Sequence, residues 1–134
     1  MVVVGWFRDA AGMTTASQHN IDLGAYGESV AARHLLRQGM RLLDRNWRCD
    51  QGELDLVLAD GETLVVCEVK TRSSTAYGTP LEGVTEDKAA RLRRLAERWL
   101  ADHQVAPEDL RIDLVGVLVP GTGPTRVEHV RGVG

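Results

Sequence analysis

GELDLVLADGETLVVCEVKTR, residues 52–72, is the stretch that decides the fold. It contains two apolar runs separated by Asp60-Gly61, a dipeptide that favours a two-residue hairpin turn. Because side chains alternate in a strand, one face of this hairpin is expected to carry the core residues Leu54, Leu56, Leu58, Val65, Cys67 and Val69. The opposite face is expected to carry four charged residues, Glu53, Asp55, Glu68 and Lys70.

The charged face of the hairpin predicts a cation site. With Asp60-Gly61 as the turn, Glu53 lies opposite Glu68, and Asp55 is a diagonal neighbour of Glu68 at roughly 7–8 Å. Two or three carboxylates there form an oxygen-rich site suited to a hard divalent ion such as Mg²⁺. Lys70 points the same way and can position a water. The alternative interpretation is a wet face of an antiparallel hairpin that carries no chemistry.

The segments around the hairpin predict an α/β fold. Periodicity and capping signals predict helices over residues 22–38 and 86–103, the second with Thr85 as N-cap. Strands are predicted over 40–49, 110–119 and 125–130. The order αβββαββ favours a mixed sheet flanked by helices.

Composition narrows the class of protein. A chain of 134 residues favours one domain, which we place at residues 21–134 after a flexible leader over residues 1–20. No apolar run approaches the roughly 18 residues of a membrane span. Cys49 and Cys67 lack metal-site spacing, so reduced thiols in a cytoplasmic protein are expected. The net charge of −3 argues against a nucleic-acid-binding role, unless the basic residues are grouped locally and the acidic excess lies elsewhere.

The first helix offers one more acid. On a helical wheel Glu28 falls beside Leu35, at the edge of the apolar stripe. A helix packed on the charged face of the hairpin would bring Glu28 to the carboxylates. The alternative for Glu28 is a solvated acid near the helix N-terminus, where the helix dipole favours negative charge.

Basic residues are concentrated on the second helix. Lys88 lies one turn before Leu92 on the buried side, so it can reach the site. Arg91, Arg94 and Arg98 form a row suited to backbone phosphates. Arg72 follows the strand of Glu68. The alternative is a solvated, ion-paired helix face.

The ordered set of motifs resembles a known family. GAYGESVAARHLL on the first helix, RNWRCDQGELDLV, CEVKTR, the loop YGTP, Lys88 and RIDLV are together similar to the bacterial YraN family of predicted endonucleases, over about residues 22–119. Asp55 followed by Glu68-Val69-Lys70 resembles the PD-(D/E)xK nuclease site. Leu54 stands where that motif name has proline.

This resemblance implies a restriction-endonuclease-like core related to archaeal Holliday-junction resolvases. It implies that Asp55, Glu68 and the carbonyl of Val69 hold Mg²⁺, with Mn²⁺ as a substitute, and that Lys70 orients the attacking water. Glu28 would be an outer or second-metal acid.

The implied function is Mg²⁺-dependent hydrolysis of DNA, including branched or repair intermediates, with Arg72, Lys88, Arg91 and Arg94 binding the nucleic acid. A homodimer is a candidate assembly, because cutting two strands requires two sites. The alternatives are a nuclease-fold module that binds DNA without turnover and a protein-interaction module with a vestigial site.

Overall fold

The computed structural model describes residues 22–74 and 85–133. These residues form two helices and five strands: α1 Leu23–Arg37, β1 Arg41–Cys49, β2 Gly52–Asp60, β3 Thr63–Arg72, α2 Glu86–His103, β4 Asp109–Leu118 and β5 Arg126–Val130. The predicted order αβββαββ is therefore confirmed. The leader over residues 1–20 and the loop YGTP lie outside the described residues, and the division into leader and domain stays a prediction.

The five strands form one mixed sheet in the order β1-β2-β3-β4-β5. Strands β3 and β4 are parallel, joined through α2, and the other neighbours are antiparallel. This mixed sheet with its flanking helices confirms the predicted fold class and is consistent with a restriction-endonuclease-like core. Within the described ranges, neither helix has the length and apolarity needed to cross a bilayer.

Both helix N-termini follow the signals in the sequence. The Asp22 carboxylate accepts the Ala25 N–H at 2.7 Å and caps α1. The Thr85 hydroxyl accepts the Lys88 N–H at 3.1 Å and caps α2. These side chains satisfy N–H groups that have no partner within the helix.

Each face of the sheet is covered by one helix. Helix α1 packs Ala31, Ala32 and Leu35 on the face that carries Leu56 and Leu58. Helix α2 covers the other face, where its buried residues meet a second set of strand residues, including Leu54, Val57, Leu64 and Val66. The interpretation that α1 packs on the charged face of the hairpin is thus wrong, because α2 occupies that face.

The hairpin turn lies one residue later than predicted. Asp60 pairs with Thr63, so Gly61 and Glu62 form the two-residue turn. Gly61 has φ 62° at the first central position, where a type II′ turn requires a glycine. The change shifts the pairing by two residues, so Glu68 and Lys70 keep their predicted face. The pairing ends at Leu56–Cys67, and one pair further in this register Glu68 would lie opposite Asp55, and not opposite Glu53 as predicted.

Side-chain alternation breaks at Asp55. Leu54 packs in the core under α2, whereas Leu56, two residues later, packs in the core under α1. On the neighbouring strand β1, Asn46 has a left-handed φ of 54°. The prediction that Leu54 shares a face with Leu56 and Leu58 is therefore wrong, because the β1–β2 ribbon is kinked at this level.

Candidate active site

Asp55 lies at this kink and is half-buried. Its Oδ2 accepts the backbone N–H of Val69 at 2.8 Å, so the carboxylate binds the strand that carries Glu68. Burial raises the pKa of Asp55 to about 7; the Val69 N–H opposes this shift, and the charges of Glu68, Glu28 and Glu53 add to it. The charged form of Asp55 is therefore disfavoured mainly by loss of solvent and to a smaller extent by its acidic neighbours.

Glu68 is the second acid, on β3, and its residue is 9% exposed. Its Oε2 lies 2.9 Å from Lys88 Nζ and 3.6 Å from Lys70 Nζ. A buried carboxylate requires such partners, because an unpaired charge in the interior is costly. Glu68 is therefore held in place by ammonium groups from β3 and from α2.

Those two residues are the only lysines of the chain, since 14 of its 16 Lys and Arg residues are arginines. An ammonium group is a compact charge with rotatable donors, whereas a guanidinium is a planar fork suited to bidentate contacts. A chain that uses arginine elsewhere thus places both of its ammonium groups on one carboxylate. This selection favours a role for the ammonium groups themselves.

Among the four cations predicted to bind nucleic acid, Lys88 contacts an acid of the site, whereas the three arginines are exposed. It reaches Glu68 from the first turn of α2, and the signal for this position was its spacing of one turn before Leu92 on the buried side. Arg91 and Arg94 are exposed on the same helix. Arg72 is also exposed, and its Nη1 donates to the carbonyl of the preceding residue at 3.0 Å.

Two other charged residues point away from the site. Glu53 is half-exposed and pairs with Arg48 at 3.3 Å, although its charge still acts on Asp55. Arg98 continues the arginine row of α2 but is bound to acids, Asp50 at 3.2 Å and Asp102 at 3.6 Å.

Helix α1 brings Glu28 into the electrostatic reach of Asp55 from the opposite face of the sheet. Gly27 permits this approach, because a Cβ at that position would overlap the Thr71 side chain on β3. Burial raises the pKa of Glu28, while a hydrogen bond from Asn46 and the charge of a neighbouring arginine partly oppose the shift. Glu28 thus acts electrostatically on Asp55, but its helix packs on the face of the sheet opposite to the predicted one.

The acids of the site do not by themselves enclose a metal ion. Among residues 22–74 and 85–133, no three His, Cys, Asp or Glu side chains lie close enough to enclose an ion. Mg²⁺ does not require such a cage, since it is commonly bound by one or two carboxylates together with waters and substrate phosphates. Asp55 and Glu68 are the two acids of the site that could provide such carboxylates.

Sequence reasoning missed Asn46, which acts against the rise in the pKa of Glu28 that burial causes. The segment RNWRC reads as an ordinary strand, and its one local signal is that asparagine tolerates a positive φ better than other non-glycine residues. That preference does not show at which position of the strand an asparagine adopts a positive φ.

In a comparison with known proteins, residues 27–117 match the uncharacterised protein family UPF0102. A UPF0102 protein of Nocardioides sp. (strain ATCC BAA-499 / JS614) is 67% identical over 112 residues, which cover 84% of this chain and 90% of the relative. A UPF0102 protein of Frankia casuarinae is 62% identical over 110 residues, 82% of this chain and 93% of the relative. A UPF0102 protein of Streptomyces coelicolor is 58% identical over 113 residues, 83% of this chain and 87% of the relative.

Proposed function

The chain belongs to the uncharacterised protein family UPF0102, and we propose that it is a divalent-metal-dependent endonuclease that hydrolyses phosphodiester bonds of DNA. The observation that carries this proposal is the cluster of two neighbouring carboxylates, Asp55 and Glu68, with both lysines of the chain bound to the second one. The resemblance to the YraN predicted endonucleases supports the same activity.

Each side chain has a role that follows from its position. Asp55 and Glu68, with the carbonyl of Val69, would hold Mg²⁺ or Mn²⁺. The bound ion would act as a Lewis acid on a phosphate oxygen and lower the pKa of a coordinated water. Lys70 would orient that water and offset charge that develops on the phosphate. Glu28 would add negative charge to the metal-binding side.

Lys88 gains a specific role from its contact with Glu68. At 2.9 Å it forms the closer of the two ion pairs, and it reaches Glu68 from a different element than Lys70. Lys88 would therefore keep Glu68 oriented before the metal and substrate bind, and it would move toward a substrate phosphate once the ion takes up the charge of Glu68.

The substrate follows from the exposed cations near this cluster. Arg72 leaves β3 just after Lys70, and Arg91 and Arg94 continue from Lys88 along α2. Phosphate contacts of this kind position a duplex without reading its sequence. We therefore propose DNA, with branched or repair intermediates as preferred substrates, a cytoplasmic location and a homodimer that cuts both strands.

One observation favours a second candidate, a module that binds DNA without turnover. Glu68 is already neutralised by two ammonium groups, Lys70 and Lys88, so it does not require a bound cation.

A cleavage panel distinguishes the two candidates. Labelled single-stranded, duplex, flap and four-way DNA would be incubated with Mg²⁺ or Mn²⁺ and with wild type, Asp55→Asn, Lys70→Ala or Lys70→Arg. The nuclease predicts products that require metal and are lost in Asp55→Asn and Lys70→Ala, with Lys70→Arg strongly impaired because the guanidinium fork does not replace the ammonium. Salt-sensitive binding of DNA by wild type with no product under either metal would support the binding module.

A further inference from the structure

The two edges of the sheet differ in how they are protected from pairing with another chain. An edge strand presents unpaired N–H and C=O groups, and proteins blunt such edges with bulges, charges or prolines. Strand β1 forms one edge, and its pairing with β2 shifts between Leu42 and Asp44, while Asn46 has a left-handed φ of 54°. These irregularities disturb the row of main-chain groups that a further strand would need.

Strand β5 forms the other edge and carries no such irregularity. Its five residues, Arg126–Val130, pair with β4 without a shift in register, and none of the five has a positive φ. A regular edge of this kind can accept an additional strand through main-chain hydrogen bonds. Its protection consists of short length and charge, so a strand that pairs with it has to match those charges.

The charges of β5 are Arg126 and Glu128, both exposed on one face of the strand, whereas Val127 between them packs on the α1 side of the sheet. Their neighbours on β4 are Leu118 and Gly116, which carry no charge. None of the ion pairs among residues 22–74 and 85–133 includes either residue. Neither charge is therefore neutralised by the described part of its own chain.

The strand β5 is complementary to itself in one register. Two copies related by a two-fold axis perpendicular to the sheet pair antiparallel, with opposite side chains on the same face. An axis through Arg126 or through Glu128 places like charges opposite each other, which is destabilising. An axis through Val127 places Arg126 of each copy opposite Glu128 of the other. It also brings the two Val127 side chains together beside the apolar residues under α1.

We propose that two copies of this chain associate through their β5 edges, antiparallel about Val127, and join their five-stranded sheets into one. This inference rests on the homodimer of the proposed function and names its interface, and it is independent of metal binding and hydrolysis. Because one short strand from each copy buries little surface, the dimer is expected to be weak and to dissociate on dilution.

Charge reversal tests this interface, with dimerisation measured by sedimentation velocity over a wide range of protein concentration. Arg126→Glu and Glu128→Arg each place like charges opposite each other in two positions, so each variant alone is expected to dimerise roughly tenfold or more weakly than wild type. The matched control is Arg41→Glu, at an exposed position of the other edge strand, which is expected to dimerise like wild type.

An equimolar mixture of Arg126→Glu and Glu128→Arg separates the interface from a defect in folding. One copy of each variant restores opposite charges at both positions, so the mixture is expected to form heterodimers with about the affinity of wild type. The double variant Arg126→Glu/Glu128→Arg is complementary to itself and is expected to dimerise likewise. All variants are expected to unfold at the same urea concentration as wild type, because both residues are exposed.

Three results would overturn the inference: a wild type that stays monomeric, single variants that dimerise like wild type, or a mixture that associates as weakly as its components. Each of them leaves the proposed hydrolysis in place, because Glu68 and Lys70 lie on β3, two strands away from β5. A charge-dependent dimer that yields no metal-dependent DNA product would instead overturn the proposed hydrolysis and leave the interface in place.

Discussion

Two aspartates of the same sheet show opposite electrostatic behaviour. Asp113 on β4 is 0% exposed and accepts four hydrogen bonds. Two come from Arg111 at 2.9 and 3.1 Å, one from His129 at 2.8 Å and one from the Gly132 N–H at 3.1 Å. Asp55 on β2 keeps some contact with solvent and, within the described residues, accepts one hydrogen bond.

The pKa values of these aspartates are shifted in opposite directions. Burial would raise the pKa of Asp113, but the bonds from Arg111, His129 and Gly132 outweigh burial and lower it. Burial and neighbouring acids raise the pKa of Asp55 to about 7. The more buried carboxylate is thus the better stabilised one. The candidate functional acid is the one with fewer hydrogen-bonding and cationic partners. Burial alone does not distinguish the two aspartates.

Removal of Asp113 should have the largest effect on folding. Asp113→Ala leaves Arg111 without its buried partner and releases His129 and the residues after β5. We expect the free energy of unfolding to fall by about 3–5 kcal/mol in urea titration at pH 7. Asp109→Ala, at an exposed position of the same strand, is expected to cost under about 1 kcal/mol. If the free energy of unfolding fell as little for Asp113→Ala as for Asp109→Ala, Asp113 would not be the better stabilised of the two aspartates.

Neutralisation of Asp55 should raise the free energy of unfolding, whereas removal of Asp113 lowers it. Its pKa is higher in the folded than in the unfolded state, so its ionisation destabilises the fold as pH rises from about 4 to about 7. Asp55→Asn is therefore expected to stabilise the metal-free protein by roughly 1–3 kcal/mol at pH 8. The gain should shrink toward zero near pH 4.

Urea titrations of wild type and Asp55→Asn at pH 8, 6 and 4.5 measure this dependence. Asp109→Asn, at an exposed position of β4, is the control for the substitution itself. Equal stability of Asp55→Asn and wild type at pH 8 would show that the negative charge around Asp55 is already balanced.

Removal of Lys88 should have the smallest effect on stability. The Lys88–Glu68 pair is partly exposed and Lys70 remains beside the same carboxylate, so Lys88→Met is expected to cost about 1 kcal/mol in urea at pH 7. Lys88→Arg keeps the charge and should recover most of this loss. A cost above about 3 kcal/mol would place Lys88 with Asp113, as a structural partner of a buried acid.

Local signals were sufficient to predict the elements. The N-cap Thr85, the periodicity of both helices and the apolar strands predicted the observed order. The hairpin register could not be predicted, because Asp60-Gly61 and Gly61-Glu62 both offer a two-residue turn that contains a glycine. Since the resulting error is two residues, Glu68 and Lys70 nevertheless keep their predicted face.

Features that depend on distant partners were not visible in the sequence. The charged face and the apolar face of the hairpin both accept a helix, so local pattern did not determine which one α1 covers. The segment RIDLV shows Asp113 within an apolar run, but its partners His129 and Gly132 lie 16 and 19 residues away. The kink at Asp55 depends on Asn46 of another strand for the same reason.

The most direct test of the central claim uses the lysine composition of the chain. Reductive ¹³C-methylation labels only Lys70, Lys88 and the α-amino group, and it preserves their positive charge. A Mg²⁺ titration at pH 8 would be followed by NMR for wild type and for Asp55→Asn. The account predicts saturable shifts of both lysine signals in wild type and none in Asp55→Asn. Lysine signals that do not respond to Mg²⁺, or that respond equally in both proteins, would contradict it.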